Sequence, residues 1–387
     1  MTKKLIVLGK NLTAADSVAY FKRLTDWEIE WRYEQNSIAY DFVYDSKEIY
    51  PRFLYDFLNF RSADLLYLNG GVNFGNHKQG WGSAGTPYLC DYPPGMHGYG
   101  FDNQRLLTLY QDVVPDNRVT MVEGIPNNPE ELDTDFILDC RDLPDSFADY
   151  TTVDSITTNR ILLKKYAVTG QTFFDVKNHA RQHGWLYVVP TMDQIIVGYI
   201  FNSQINSDQD IETEFAQVET DFDLSNPTSS TFINFQNYYR NSVHAGRISY
   251  NSHMAFNGDP LDTASHSIET IINQSALGIW QGNFLEDKSN VTYINKIKEH
   301  FHTLCIHYMA GSVYNTPFWA NAKTKALEGF ETFKPDSNKF NYLLERVVTD
   351  LRTHINTFTY GSWHPYYFHI NIKGLGLEHL LIPRQQF

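Results

Sequence analysis

Three groups of residues in this sequence have types and spacings that could do chemistry. The first is a turn, Gly9-x-Asn11-x-x-Ala14, directly after the apolar run Lys4-Leu-Ile-Val-Leu8. A strand-to-helix turn that cradles a dinucleotide pyrophosphate uses glycine, glycine, and glycine or alanine at these places. Ala14 meets the third requirement, and Glu34 stands twenty residues beyond it, where an acid bonds the ribose hydroxyl. Asn11 departs from the pattern, because a side chain there obstructs the approach of backbone to phosphate. The second group is His179 and His183, at the i, i+4 spacing of helical zinc ligands but without the glutamate such a motif carries after its first histidine. They read as histidines on a surface helix. The third is His300, His302, Cys305 and His307 within an apolar-aromatic helix, where His300 and His302 cannot share a face. No metal is assigned to either group, and no nucleophile elbow or phosphate loop is present.

These residues need elements to hold them. Residues 4–8 read as a buried strand, and Leu12, Ala15, Val18 and Ala19 then recur at helical spacing. Trp27 to Tyr33 alternates apolar and polar residues as a second strand, so the chain opens as a βαβ unit. Strands 5–9 and 27–33 are expected side by side and parallel. The run Thr134-Asp-Phe-Ile-Leu-Asp-Cys140 is expected to end at the same edge, since ligands bind beyond the carboxyl ends of such sheets. Residues 142–180 read as a polar, mixed bridge to an aromatic hairpin, Gly184-Trp-Leu-Tyr-Val-Val-Pro190 followed by Gly198-Tyr-Ile-Phe-Asn-Ser203. Helices are expected over 203–219 and 264–277. With no repeat, low-complexity tract or clear linker, the domains should interleave over 1–320, with a mainly helical extension over 321–387.

Composition narrows the function classes. The 387 residues are 42% hydrophobic and 20% charged, which are globular values. A net charge of −14 argues against a nucleic-acid surface, which needs clustered lysine and arginine. The 25 Tyr, 26 Phe and 7 Trp suit a core and also stacking on flat ligands. Cys90, Cys140 and Cys305 are odd in number and lack metal spacing, as in a reducing cytoplasm. No run reaches the roughly eighteen apolar residues of a membrane span, so a soluble cytoplasmic protein is expected. A homo-oligomer is allowed.

The 184–203 hairpin resembles the tryptophan-x-tryptophan-x-isoleucine-proline signature, and the strand after it, of the flavin-dependent (tryptophan) halogenases. Other segments match in order. Residues 134–140 resemble the strand that ends in aspartate-cysteine in FAD-dependent oxygenases and halogenases, with Arg141-Asp142 replacing a serine-glycine pair. Residues 246–256 resemble the family's glycine-aspartate-alanine-alanine-glycine-phenylalanine segment, and Asp259-Pro-Leu-Asp-Thr263 its proline-leucine-glutamate-serine turn. Ile306-His-Tyr308 and Thr316-Pro-Phe-Trp319 resemble its histidine-tyrosine helix and that helix's end. The chain's brevity and degenerate glycines are similar to divergent, phage-type (viral) members.

The resemblance implies a mixed α/β fold, with a Rossmann-like FAD-binding βαβ module of the flavin monooxygenase type interleaved with a substrate sheet domain. It implies that FADH2 from a separate flavin reductase reacts with oxygen and a halide ion. The resulting hypohalous acid travels a tunnel to a small electron-rich aromatic. Gly9, Asn11, Ala14, Glu34, Asp139, Asp259 and Pro260 would border the cofactor, while Trp185, Tyr187 and Pro190 would line the wall between flavin and substrate. Asp262 stands at the place of the family's oxidant-polarising glutamate, and Thr263 at the place of its serine. The family's tunnel lysine falls, in the best register over the expected strand 64–74, on Asn69. Lys78 reads as a solvated loop lysine that reaches the tunnel only if the loop folds back. Two other readings stay open: a binding or regulatory module of this fold with a degenerate flavin site, and a flavin oxidoreductase of other specificity.

Overall fold

A computed structural model describes residues 2–34, 50–92, 95–126, 128–168, 175–261, 265–334, 338–345, 360–361 and 363–380. The chain opens with the expected βαβ unit. Lys4–Leu8 is buried along nearly its whole length and lies between Glu28–Tyr33 and Phe136–Asp139, parallel to both. A strand sandwiched in this way is shielded on both faces, which is why it reads as an unbroken apolar run rather than an alternation. Val119–Glu123 and Ile248–Tyr250 extend the sheet on either side in parallel, and His244–Ala245 closes one edge. The Leu12–Leu24 helix packs on the sheet through Ala15, Val18 and Ala19, the residues whose spacing announced it.

A second sheet of seven strands carries the aromatic hairpin. Gly184–Pro190 pairs antiparallel with Gln194–Phe201 and with Val176–Arg181, and Gly75–Gln79 joins beyond the latter in parallel. All seven residues of Gly184–Pro190 are buried, because helices cover both faces. On one side Leu186 and Val188 meet Ile211, Phe215 and Val218 of the Asp208–Asp221 helix. On the other, Trp185, Tyr187 and Val189 meet a core built from the Glu286–Ala310 and Pro317–Phe333 helices. Residues beyond 320 belong to that same core: Phe333, Trp363, Tyr367 and Phe368 are buried in it.

Several expectations are corrected here. The polar bridge over 142–180 contains two strands of the second sheet, Arg160–Ala167 and Val176–Arg181. His179 therefore sits on a strand and His183 on the turn that follows, not on a surface helix. In a strand four residues span two pleats, so helical spacing has no meaning there. His179 faces His77 of the neighbouring strand, with 3.3 Å between ring nitrogens. Segment 64–74, expected as a strand, is mostly the Ser62–Tyr67 helix followed by the short strand Gly71–Asn73. The helices expected over 203–219 and 264–277 are present as Asp208–Asp221 and Ser265–Trp280.

Candidate functional site

Lys78 is not a solvated loop residue. It lies on the Gly75–Gln79 strand and is fully buried, flanked across the sheet by Asn178 and Tyr88. Gly75 allows this strand to form. Its φ is +154°, and a Cβ there would stand 2.3 Å from the carbonyl oxygen of Cys90 on the adjoining strand. The Lys78 ammonium donates to Asn371 Oδ1 at 2.9 Å and lies 2.6 Å from His307 Nε2. Burying a charge without partners is prohibitive, and these contacts make the burial tolerable.

Asn69 is placed differently. It takes a left-handed conformation, φ +49°, in the turn after the Ser62–Tyr67 helix. Its amide donates to Asp193 Oδ2 at 3.0 Å, and its carbonyl accepts from Met192 N at 2.8 Å. Asp193 is in turn gripped by both terminal nitrogens of Arg105. Asn69 is thus occupied in a turn network, and Lys78 is the amine that the structure buries beneath the Glu286–Ala310 helix.

The next residue on that helix, Tyr308, organises a second cluster. Its hydroxyl donates to Asp259 Oδ2 at 2.6 Å and accepts from Trp185 Nε1 at 2.9 Å. Asp259 also accepts from Thr158 Oγ1 at 2.5 Å, from Trp185 Nε1 at 3.4 Å and from the Leu261 amide at 2.9 Å. These donors are all neutral. Burial therefore pushes the carboxyl above its ordinary range, with the hydrogen bonds opposing. Burial and the nearby Asp259 charge raise the Tyr308 phenol well above its own. Trp81 joins the two clusters: its ring lies 5.7 Å from His307, 6.0 Å from Tyr308 and 6.2 Å from Trp185.

Of the residues expected around the tunnel, Trp185 therefore reaches the 259–261 turn directly. Tyr187 packs 6.3 Å from Trp185, over Gly198, where a Cβ would collide with its ring at 2.4 Å. Pro190 is buried at the far end of the strand, opposite Ile195. Pro260 is buried in the turn. Asp262 and Thr263 lie outside the described residues. Asp259, expected beside the cofactor, directs its carboxylate into the protein.

The βαβ turn shows how a flavin would be received. Gly9 has φ +124°, and a Cβ on it would stand 2.4 Å from the Cys140 carbonyl, so strand packing alone requires glycine. Asn11 caps the helix: its oxygen accepts from Ala14 N at 3.0 Å, and its amide donates to Cys140 O at 2.7 Å and Asp142 Oδ1 at 3.1 Å. A helix start normally offers its amides to phosphate. Here the Asn11 side chain takes one of them, the Ala14 N–H. Asp139 is buried at the strand end, bridged by the Arg141 guanidinium at 2.9 Å, and Glu34 is exposed. This capped helix start is where a dinucleotide phosphate would be received.

One buried cluster was not foreseen. Asp16 of the first helix accepts from the hydroxyls of Tyr50 and Tyr110, and His266 Nδ1 lies 3.6 Å from its other oxygen. The partners of Lys78 and Asp259 were likewise missed, because Lys78 and His307 are 229 positions apart and Lys78 and Asn371 are 293. His307 itself stood out as part of a histidine-rich helix. Its neighbour His302 is sandwiched against Phe330 at 4.4 Å and Tyr360, and burial pushes it down to about 3. Among the described residues no three His, Cys, Asp or Glu side chains converge as a metal site. The three cysteines are buried, none in a disulfide.

No family model and no curated protein matches the sequence. Solved structures do match the fold. MibH, a tryptophan 5-halogenase, superposes with a TM-score of 0.79 at 14% identity, over 100% of this chain and 87% of that one. Xcc4156, a flavin-dependent halogenase from Xanthomonas campestris, gives 0.78 at 12% identity, over 100% and 90%. Tar14, a tryptophan C-6 flavin-dependent chlorinase from taromycin biosynthesis, gives 0.76 at 11%, over 97% and 90%. Shared architecture over the whole chain, and a lysine strand, aromatic hairpin and histidine-tyrosine helix meeting in one core, agree on a single conclusion: this chain has the fold of the flavin-dependent halogenases.

Proposed function

We propose that this chain halogenates a small electron-rich aromatic by a flavin-dependent route. The observation that carries the reading is Lys78. It is an amine buried on a sheet strand, and Trp81 couples its surroundings to Trp185 and, through Trp185, to the 259–261 turn. FADH2 supplied by a separate reductase, when bound, provides the reduction of oxygen that turns halide into hypohalous acid. Lys78 holds that oxidant, and His307 and Asn371 aim its nitrogen. Trp81, Trp185 and Tyr187 exclude water and set the path, an orientation effect. Asp259 fixes the turn that leads to Asp262, which polarises the oxidant with Thr263 beside it.

One observation favours a second reading, a binding or regulatory module of this fold: the Asn11 side chain occupies part of the helix start that a dinucleotide would use. The deciding experiment is a reductase-coupled assay with indoles and phenols in chloride, bromide and iodide. Halogenated product, detected by mass spectrometry and lost in Lys78→Met, is the expected result. Absence of product with every halide would give the case to the binding module.

A further inference from the structure

We propose that His307 is the general base of Lys78, taking a proton from the lysine as its nitrogen bonds the halogen; this rests on Lys78 being the oxidant-holding amine. The tautomer follows from geometry. His307 Nδ1 lies 3.1 Å from the carbonyl oxygen of Thr303, one turn back on the same helix. A carbonyl only accepts, so Nδ1 carries the hydrogen and Nε2 presents a lone pair, 2.6 Å from Lys78 Nζ. The ring cannot turn away. It is fully buried, with Trp81 edge-on at 5.7 Å and Trp363 edge-on at 5.1 Å.

Asn371, a second acceptor on Nζ, has no such capacity. Asn371 donates its amide to Tyr367 O, which points Oδ1 at Lys78, but a neutral amide oxygen does not take up a proton at ordinary pH. Among the described residues, titratable groups facing this pair from other elements include Tyr88 and Cys90, which also reach Asn371 Oδ1, at 3.5 and 3.3 Å, and Tyr367, whose hydroxyl bonds Cys90 O. As the Lys78 ammonium meets hypohalous acid, one N–H bond breaks and that proton moves to Nε2. The electron pair left on Nζ forms the bond to halogen while the oxygen–halogen bond breaks. The departing hydroxide takes a second Nζ proton and leaves as water. His307 ends as the imidazolium, still donating from Nδ1 to Thr303. The halogen is already oxidised when it arrives, so no further oxidant is needed.

His307 acts through Lys78 and is a positioning residue whose role should show in protonation. The full chain labelled with 15N-histidine, without flavin, should show His307 protonated at Nδ1 and unprotonated at Nε2 at neutral pH. The Nε2 resonance should move in Lys78→Met. A hydrogen on Nε2, or a resonance indifferent to Lys78→Met, overturns the proposal without any variant of His307 having to fold. In turnover, activity should fall once the pH is low enough to protonate His307, because a protonated His307 cannot accept. His307→Gln should lose that limb and about 10²–10⁴-fold in kcat. The same acid limb persisting in an active His307→Gln protein would sink the proposal and leave halogenation standing. Absence of product in the wild type would instead sink the halogenation reading, and the NMR result alone would then decide the pairing.

Discussion

Asp259 concentrates more hydrogen bonds on one carboxylate than any group near it: Thr158, Tyr308, Trp185 and the Leu261 amide all donate to it. An amide in its place offers one acceptor and two donors, and Trp185 Nε1 cannot reverse its role. Asp259→Asn is expected to cost about 1–3 kcal/mol in acid, the scale of a buried polar group left unsatisfied. The pH dependence has a definite sign. Burial raises the carboxyl, so its contribution is fully present below the ordinary aspartate range and is lost as pH rises through the folded value. Urea unfolding of wild type and variant should therefore show the gap narrowing from about pH 4 toward neutral. A gap that widens would mean that the hydrogen bonds, not burial, dominate this carboxyl.

At the level of elements, two turns can be tested by what their side chains fill. Asn11 both caps the Leu12–Leu24 helix and ties it to Cys140, and in doing so it claims an amide at the helix start. Glycine is a tolerated cap, typically a few tenths of a kcal/mol worse than asparagine. Asn11→Gly should thus fold, lose somewhat more than that because the Cys140 bond goes too, and bind FAD more tightly. The wild type should show a dissociation constant of at least about micromolar, near −8 kcal/mol. Equal FAD isotherms for the two proteins would show that Asn11 does not compete with the ligand. In the hairpin, Gly198→Ala would drive a methyl into the Tyr187 ring at 2.4 Å. Because both residues sit on buried, paired strands, neither can retreat, and a loss of about 1–3 kcal/mol in chemical denaturation is expected.

For the molecule as a whole, acid should be the weak side. Burial depresses His179 and His302 to about 3, and His244 and His253 to about 4. A depressed histidine contributes stability above the unfolded value near 6.5 and loses it as pH falls toward the folded one. Among the described residues, these four groups outweigh the opposing carboxylate of Asp259. Stability should fall by several kcal/mol between about pH 6.5 and 4, read as a declining urea midpoint. A flat midpoint over that range would show that these rings reach solvent before the chain unfolds.

How much of this was legible in the sequence depended on distance along the chain. The parallel pair Lys4–Leu8 and Glu28–Tyr33 was readable because apolar runs of strand length flank a helical period. The Gly184–Pro190 strand was readable from its aromatics. The lysine strand was hidden, since Gly-Asn-His-Lys-Gln has no apolar alternation, and its place in the sheet comes from pairing with residues about a hundred positions away. Lys78 looked exposed for the same reason: the groups that make its burial tolerable are supplied by helices near the other end of the chain.

That arrangement bears on how the protein is made. Asn371, one of the groups that receives the Lys78 ammonium, is synthesised 293 residues after it. Until then the lysine must remain hydrated. The centre is completed only when the Pro365–Gly374 helix closes over Tyr88–Asp91. A nascent chain that has not yet reached Asn371 would carry the βαβ unit without the closed Lys78 pocket, so the two parts of the fold are completed at different times.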